Sequence, residues 1–187
     1  MLGRRQFLYV SGALSLASFL PHRPAQASIA RAVSLAELCR DSSQGLFGTA
    51  LSVESVWEKV GGRRRIVSYT RLRVDERLAS AGDGSELVVR TLGGQVGDVG
   101  QVVHGEALLL IGERALLFLE DAPEGVLRVT AMAQGHYPVR KDSSGELRLA
   151  PSPRLSELSG KGAVGDLVGR RPTDAGDLVR KAFRDAR

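Results

Sequence analysis

Cysteine is nearly absent, with Cys39 the only one in 187 residues. An intramolecular disulfide is thereby excluded, although an oxidising compartment would permit one. Glu37 and Leu38, which precede it, lack the small side chain that a lipid-attachment site requires. Cys39 reads instead as a small apolar contact on a helix. Histidine is almost as scarce. Only His104 and His136 lie beyond residue 27, and neither has a His-x-x-x-His or Cys/His spacing. A protein-only zinc site therefore lacks its usual ligands. Gly-x-Ser-x-Gly and Ser-x-x-Lys are missing too, which removes the common serine-nucleophile signatures. The glycines at 94, 97 and 100 are followed by neither Gly-Lys-Ser/Thr nor an evident helix. That excludes a phosphate loop or a dinucleotide fingerprint, and no cofactor is expected.

Acidic residues are missing from the first 27 positions, which carry Arg4, Arg5, an apolar run from Phe7 to Leu20, and Ala25-Gln26-Ala27. This pattern predicts a secretory signal over 1–27, cleaved after Ala27. Its apolar run falls short of the roughly 20 residues that a membrane-spanning helix needs. Arg4, Arg5, Phe7 and Leu8 resemble the twin-arginine consensus, and Arg23 supplies a basic residue near the cleavage site. A periplasmic or extracellular address follows as an expectation. Gly3 and Tyr9 depart from the consensus. Removing the signal takes three of the 26 basic residues and leaves 23 against 21 acidic ones. The basic balance of the whole chain is then weak support for a polyanion partner.

The rest reads as a β-rich domain over 28–150, followed by a linker and helix over 151–187. Ser34 and Glu37 form a capping-box pattern, predicting a short helix with Leu35, Leu38 and Cys39 on one face. From Phe47 the period becomes two, through Leu51, Val53 and Trp57. Gly61-Gly62 turns the chain into a long partner strand on which Ile66, Thr70, Leu72, Val74 and Leu78 are expected to face one way. Leu87–Leu92, Ala107–Ile111, Ala115–Leu119 and an alternation from Leu127 to Ala133 predict further strands. Pro138 is expected to end a strand or begin an edge, and Asp142–Gly145 to turn a hairpin. Near the end, Leu178, Val179, Ala182 and Phe183 make an apolar helical stripe, capped by Thr173 or Asp174.

Short strands at turn spacing predict a mainly β fold, a small antiparallel OB-like barrel with a short N-terminal helix and a C-terminal helix. The order GTALSVESVW, IVSYTRLRVDERLAS, ELVVRTLGG, IGERALLFLE and LRVTAMAQGHYPV is similar to the netrin-like pattern of tissue metalloproteinase inhibitors. It also resembles exported bacterial proteins with a Gly-Glu-x-x-Leu-Leu-Phe-Leu strand. The inhibitory activity is not carried over, because those inhibitors use an N-terminal cysteine and Cys39 is internal.

Arg63, Arg64 and Arg65, with Tyr69, Arg71 and Arg73 beyond them, form the one concentrated basic patch, which also reads as a solvated hairpin tip with Glu58 and Asp75 as local partners. It suits a protein or an anionic envelope component, while nucleic acid is an awkward partner outside the cytoplasm. The expected function is an exported non-enzymatic β-barrel module that binds such a partner. An envelope hydrolase using Asp98, His104 and Glu106 on the central glycine-rich loop is the alternative. It requires those three groups to converge in a concave pocket.

Overall fold

The structure, a computed structural model, describes residues 30–79, 84–123 and 125–186. The expectations for residues 1–27 lie outside them. The chain begins with a short strand β1 (Ala30–Arg31) and the helix α1 (Leu35–Asp41). The predicted capping box is present: the Ser34 hydroxyl accepts from Glu37 N and the Glu37 carboxylate accepts from Ser34 N. Two 17-residue strands follow, β2 (Gln44–Val60) and β3 (Arg63–Ala79). Gly61 and Gly62 join them at φ +57° and +77°, the left-handed pair that a two-residue hairpin turn demands.

Next come β4 (Glu86–Leu92), a small hairpin of β5 (Gly94–Val96) and β6 (Val99–Gln101), then β7 (Arg114–Asp121) and β8 (Leu127–Val129). A 3-10 turn over Met132–Gly135 leads to β9 (His136–Lys141) and β10 (Leu147–Leu149). The chain closes with β11 (Leu158–Ser159), α2 (Gly162–Leu167) and α3 (Pro172–Asp185). The main sheet runs β10-β9-β7-β2-β3-β4-β8, and β8 also pairs with β7.

The sheet is mixed, because β4 and β8 run parallel at Val89–Leu127 and Arg90–Arg128. Among the described residues it is seven strands wide, extends through β9 to β10, and is accompanied by three α-helices. The small antiparallel OB-like barrel expected from the sequence is corrected on these grounds. A curled, mixed sheet with helices against one face is the architecture that the pairings support.

Register shifts in the β2–β3 pair decide what each face buries. Asp75 and Leu78 are extra residues in β3, and Leu51 is extra in β2. An inserted residue moves the side chains beyond it to the opposite face. Leu72 accordingly packs with Leu46, Val89, Leu109, Leu117 and Leu119 inside the curl. Leu78, expected on that same face, packs instead with Phe47, Phe118, Val179 and Phe183 beneath the helices. Each face of the sheet therefore has its own core.

Three further expectations change. Ala107–Leu110 belongs to no strand and Ile111 lies in a turn, since an apolar run signals burial without specifying a hydrogen-bonded neighbour. Ala131 and Met132 turn left-handed at φ 53° and 57°, which cuts the Leu127–Ala133 alternation short after Val129. Pro138 lies inside β9, where its carbonyl accepts from Ala150 N. Facing Ala115 in the ladder, it occupies a position that needs no donor.

Candidate functional site

On the concave side of the sheet, β2, β3 and β4 present Val53, Ser55, Ser68, Thr70 and Thr91 to a cleft of about 610 Å³. The Ala107–Ile111 segment forms the opposite wall. Two backbone bonds anchor the end of that wall to β2: Gly112 N donates to Ala50 O, and Ala50 N donates to Glu113 O. Ala107 and Leu109 turn inward to the core, whereas Leu110 is 43% exposed and Ile111 66%. Val53 at 38% and Val102 at 61% complete an open apolar rim.

The β5–β6 hairpin lies over the polar part of this floor. Ser55 and Ser68 hydroxyls are 2.8 Å apart, and Ser68 also donates to Gly93 O at 2.7 Å. Gly94, at φ +134°, sits so close to both serines that a Cβ would collide with their hydroxyls. The Gln101 side chain accepts from Ile66 N at 3.0 Å and ties the hairpin to β3. Gly93 and Gly94 thus serve close approach of backbone, whereas Gly97, with open space around it, supplies the positive φ of the hairpin turn.

The sequence-predicted basic residues divide into two groups. Arg63 and Arg64 are exposed at the β2–β3 tip, with Arg65 half-buried beside them. The Arg64 guanidinium lies 4.7 Å from the centre of the Trp57 ring, an arrangement that holds it by cation–π attraction. The other three are engaged within the sheet. Tyr69 donates to Glu58, which also pairs with Arg90 at 2.9 Å, and these two bonds hold the Glu58 carboxyl below its usual range. Arg71 lies 3.8 Å from Glu86, and Arg73 lies 2.9 Å from Asp75. A continuous free basic face does not form.

The hydrolase alternative fails its geometric requirement. Asp98 is exposed at the β5–β6 turn and His104 is exposed in the following loop. Glu106 is buried, and its carboxylate accepts from Leu92 N at 3.2 Å and Ala107 N at 3.0 Å. Burial raises its pKa, but its hydrogen bonds pin loop backbone to the end of β4. His104 and Glu106 border two different cavities. Among the described residues, no group of three His, Cys, Asp or Glu side chains could hold a metal. The reading as an exported β-barrel module is corrected with the barrel itself. The apolar cleft escaped sequence reasoning because its walls come from three separate strands, β2–β4, and the Ala107–Ile111 segment that follows them.

His136 is buried at the start of β9 in this sheet, its Nδ1 2.9 Å from Ser152 Oγ and its Nε2 without a partner among the described residues. Burial, and then the charge of Arg140, push its pKa down to about 4 from 6.5. The unfolded chain takes up this proton near pH 6.5 and the folded chain does not. Stability is therefore expected to fall between pH 6.5 and 4, by up to about 3 kcal/mol. Urea midpoints at pH 7.5 and 5.0 test this. A pH slope that survives unchanged in His136→Gln would assign the effect elsewhere.

No helix among the described residues is long and apolar enough to cross a membrane. Comparison with protein-family models and with curated proteins finds no match.

Proposed function

We propose that the domain binds a small apolar or amphipathic molecule in the cleft between the β2–β4 face and the Ala107–Ile111 segment. The observation that carries this is the exposure of Leu110 and Ile111 on the rim of a concave site whose facing wall includes Val53. Contiguous apolar surface is costly in water and marks a place that something covers. A volume of about 610 Å³ lies within the range of small-molecule sites, roughly 300–1,000 Å³. The tethered hairpin and the anchored wall make the cleft largely pre-formed, which reduces the ordering cost of binding.

The neutral probe N-phenyl-1-naphthylamine tests the reading. Its fluorescence is expected to rise saturably with the protein, and Ile111→Glu is expected to weaken binding about tenfold, or about 1.4 kcal/mol. Because Ile111 is exposed, the variant should fold normally. Absence of saturable binding, or equal binding by Ile111→Glu, would overturn the proposal.

The Arg4-Arg5 pair supports a companion proposal, export through the twin-arginine route to the periplasm or beyond. Replacing both residues with Lys is expected to leave the precursor in the cytoplasm, since the guanidinium pair and not charge alone is recognised. Undiminished export of that variant would remove the claim. An envelope amphiphile would be available at such an address.

A further inference from the structure

Building on the cleft as a binding site, we infer that its ligand is a single-chain amphiphile with a carboxylate head, and that Arg154 receives the head. Arg154 is half-buried and is the only charged side chain lining the cleft among the described residues. It has neither an ion-pair nor a hydrogen-bond partner among them. Arg154 lies in the loop between β10 and β11. In the sheet, Arg71, Arg73, Arg90, Arg114, Arg128 and Arg140 each have an acidic partner within 4 Å, whereas Arg63, Arg64 and Arg65 at the β2–β3 tip have none among the described residues. The lining combines apolar side chains with serine and threonine hydroxyls and, among the described residues, holds no carboxylate.

That distribution discriminates by charge. A cation would meet Arg154 with no compensating anion. A neutral chain would gain the apolar contacts and leave the guanidinium unused. A carboxylate gains both, because the planar guanidinium matches its two oxygens through paired charge-assisted hydrogen bonds. One fixed positive charge suits a monoanion, and the apolar walls suit a single alkyl chain. The low polarity of those walls strengthens the pairing relative to the same contact in open water.

Displacement of N-phenyl-1-naphthylamine separates this inference from the reading on which it rests. The competitors are dodecanoate, dodecanol and dodecyltrimethylammonium, which share one chain and differ in head charge. Each is used below its micelle concentration or solubility limit. Dodecanoate is expected to displace the probe at least about tenfold more effectively than the other two. Arg154→Gln is expected to abolish that preference, measured within each variant as the ratio of dodecanoate to dodecanol displacement, and Arg154→Lys to retain part of it. Probe binding with equal displacement by all three compounds would overturn the head-group assignment and leave the cleft reading intact. So would a dodecanoate preference that persists in Arg154→Gln. Failure of the wild-type protein to bind the probe would remove both. Matching thermal transitions of wild type and variants would show that the comparison concerns recognition and not folding.

Discussion

Leu117→Ala is expected to lower the unfolding free energy by about 2–5 kcal/mol, the range for emptying a packed core site. Leu117 is fully buried on β7, which pairs with β2 from Arg114 to Leu119, with β9 from Ala115 to Leu117 and with β8 at its end. It stands opposite Leu46 on β2 and His136 on β9, and packs in the cluster that includes Leu72, Leu109, Leu119 and Val129. Hydrogen-bonded strands on both sides restrict collapse of the cavity, which places the expected cost in the upper part of that range. The effect should extend to binding, because Leu109, next to Leu110 and Ile111 on the cleft wall, belongs to the same cluster. A urea midpoint indistinguishable from wild type would show that β7 is not central to the fold.

Local chemistry made several elements legible in the sequence. The Ser34–Glu37 box, the Gly61-Gly62 turn and the Asp142–Gly145 hairpin each depend on residues within one turn of chain. Elements that depend on distant partners were not legible. Alternation along β3 could not show the extra residues at Asp75 and Leu78, because a bulge is defined against the opposing strand. The apolar content of Ala107–Ile111 correctly indicated contact with a core, while its failure to join a ladder reflects what lies beside it. Glu58 and Asp75 were legible as local partners of the basic patch, being close to it in sequence, and they engage Tyr69 and Arg73 across and along the sheet. Arg154 gave no signal, since its isolation from carboxylates exists only in three dimensions.

Removal of α3 by truncation after Arg171 is expected to cost the protein its cooperative fold. The apolar stripe predicted for this helix is real: Ala175, Val179 and Phe183 are buried, and Leu178 and Ala182 pack around the same core. The helix caps its start with Pro172 at the first position and not with a Thr173 or Asp174 side chain. Its ring contacts are specific. Phe183 stacks on Phe118 of β7 with centroids 6.1 Å apart, and it occupies the space over Gly45 where a Cβ would collide with it. At Gly176 the helix packs against Leu78 and Phe47, and Arg180 pairs with Glu76 of β3. A 14-residue helix is marginal alone in water and takes its stability from such packing. The dependence is mutual, because without α3 the Phe47, Leu78 and Phe118 side chains lose their cover. Phe183→Ala alone should cost about 3–5 kcal/mol, a large part of the roughly 5–15 kcal/mol that holds a typical domain folded. Loss of the whole helix should exceed that and leave a chain without a sharp thermal transition. The point substitution provides the graded measurement where the truncated chain is too unstable to handle. Unchanged melting in both variants would mean that the helix is free to leave the sheet and serve a separate partner.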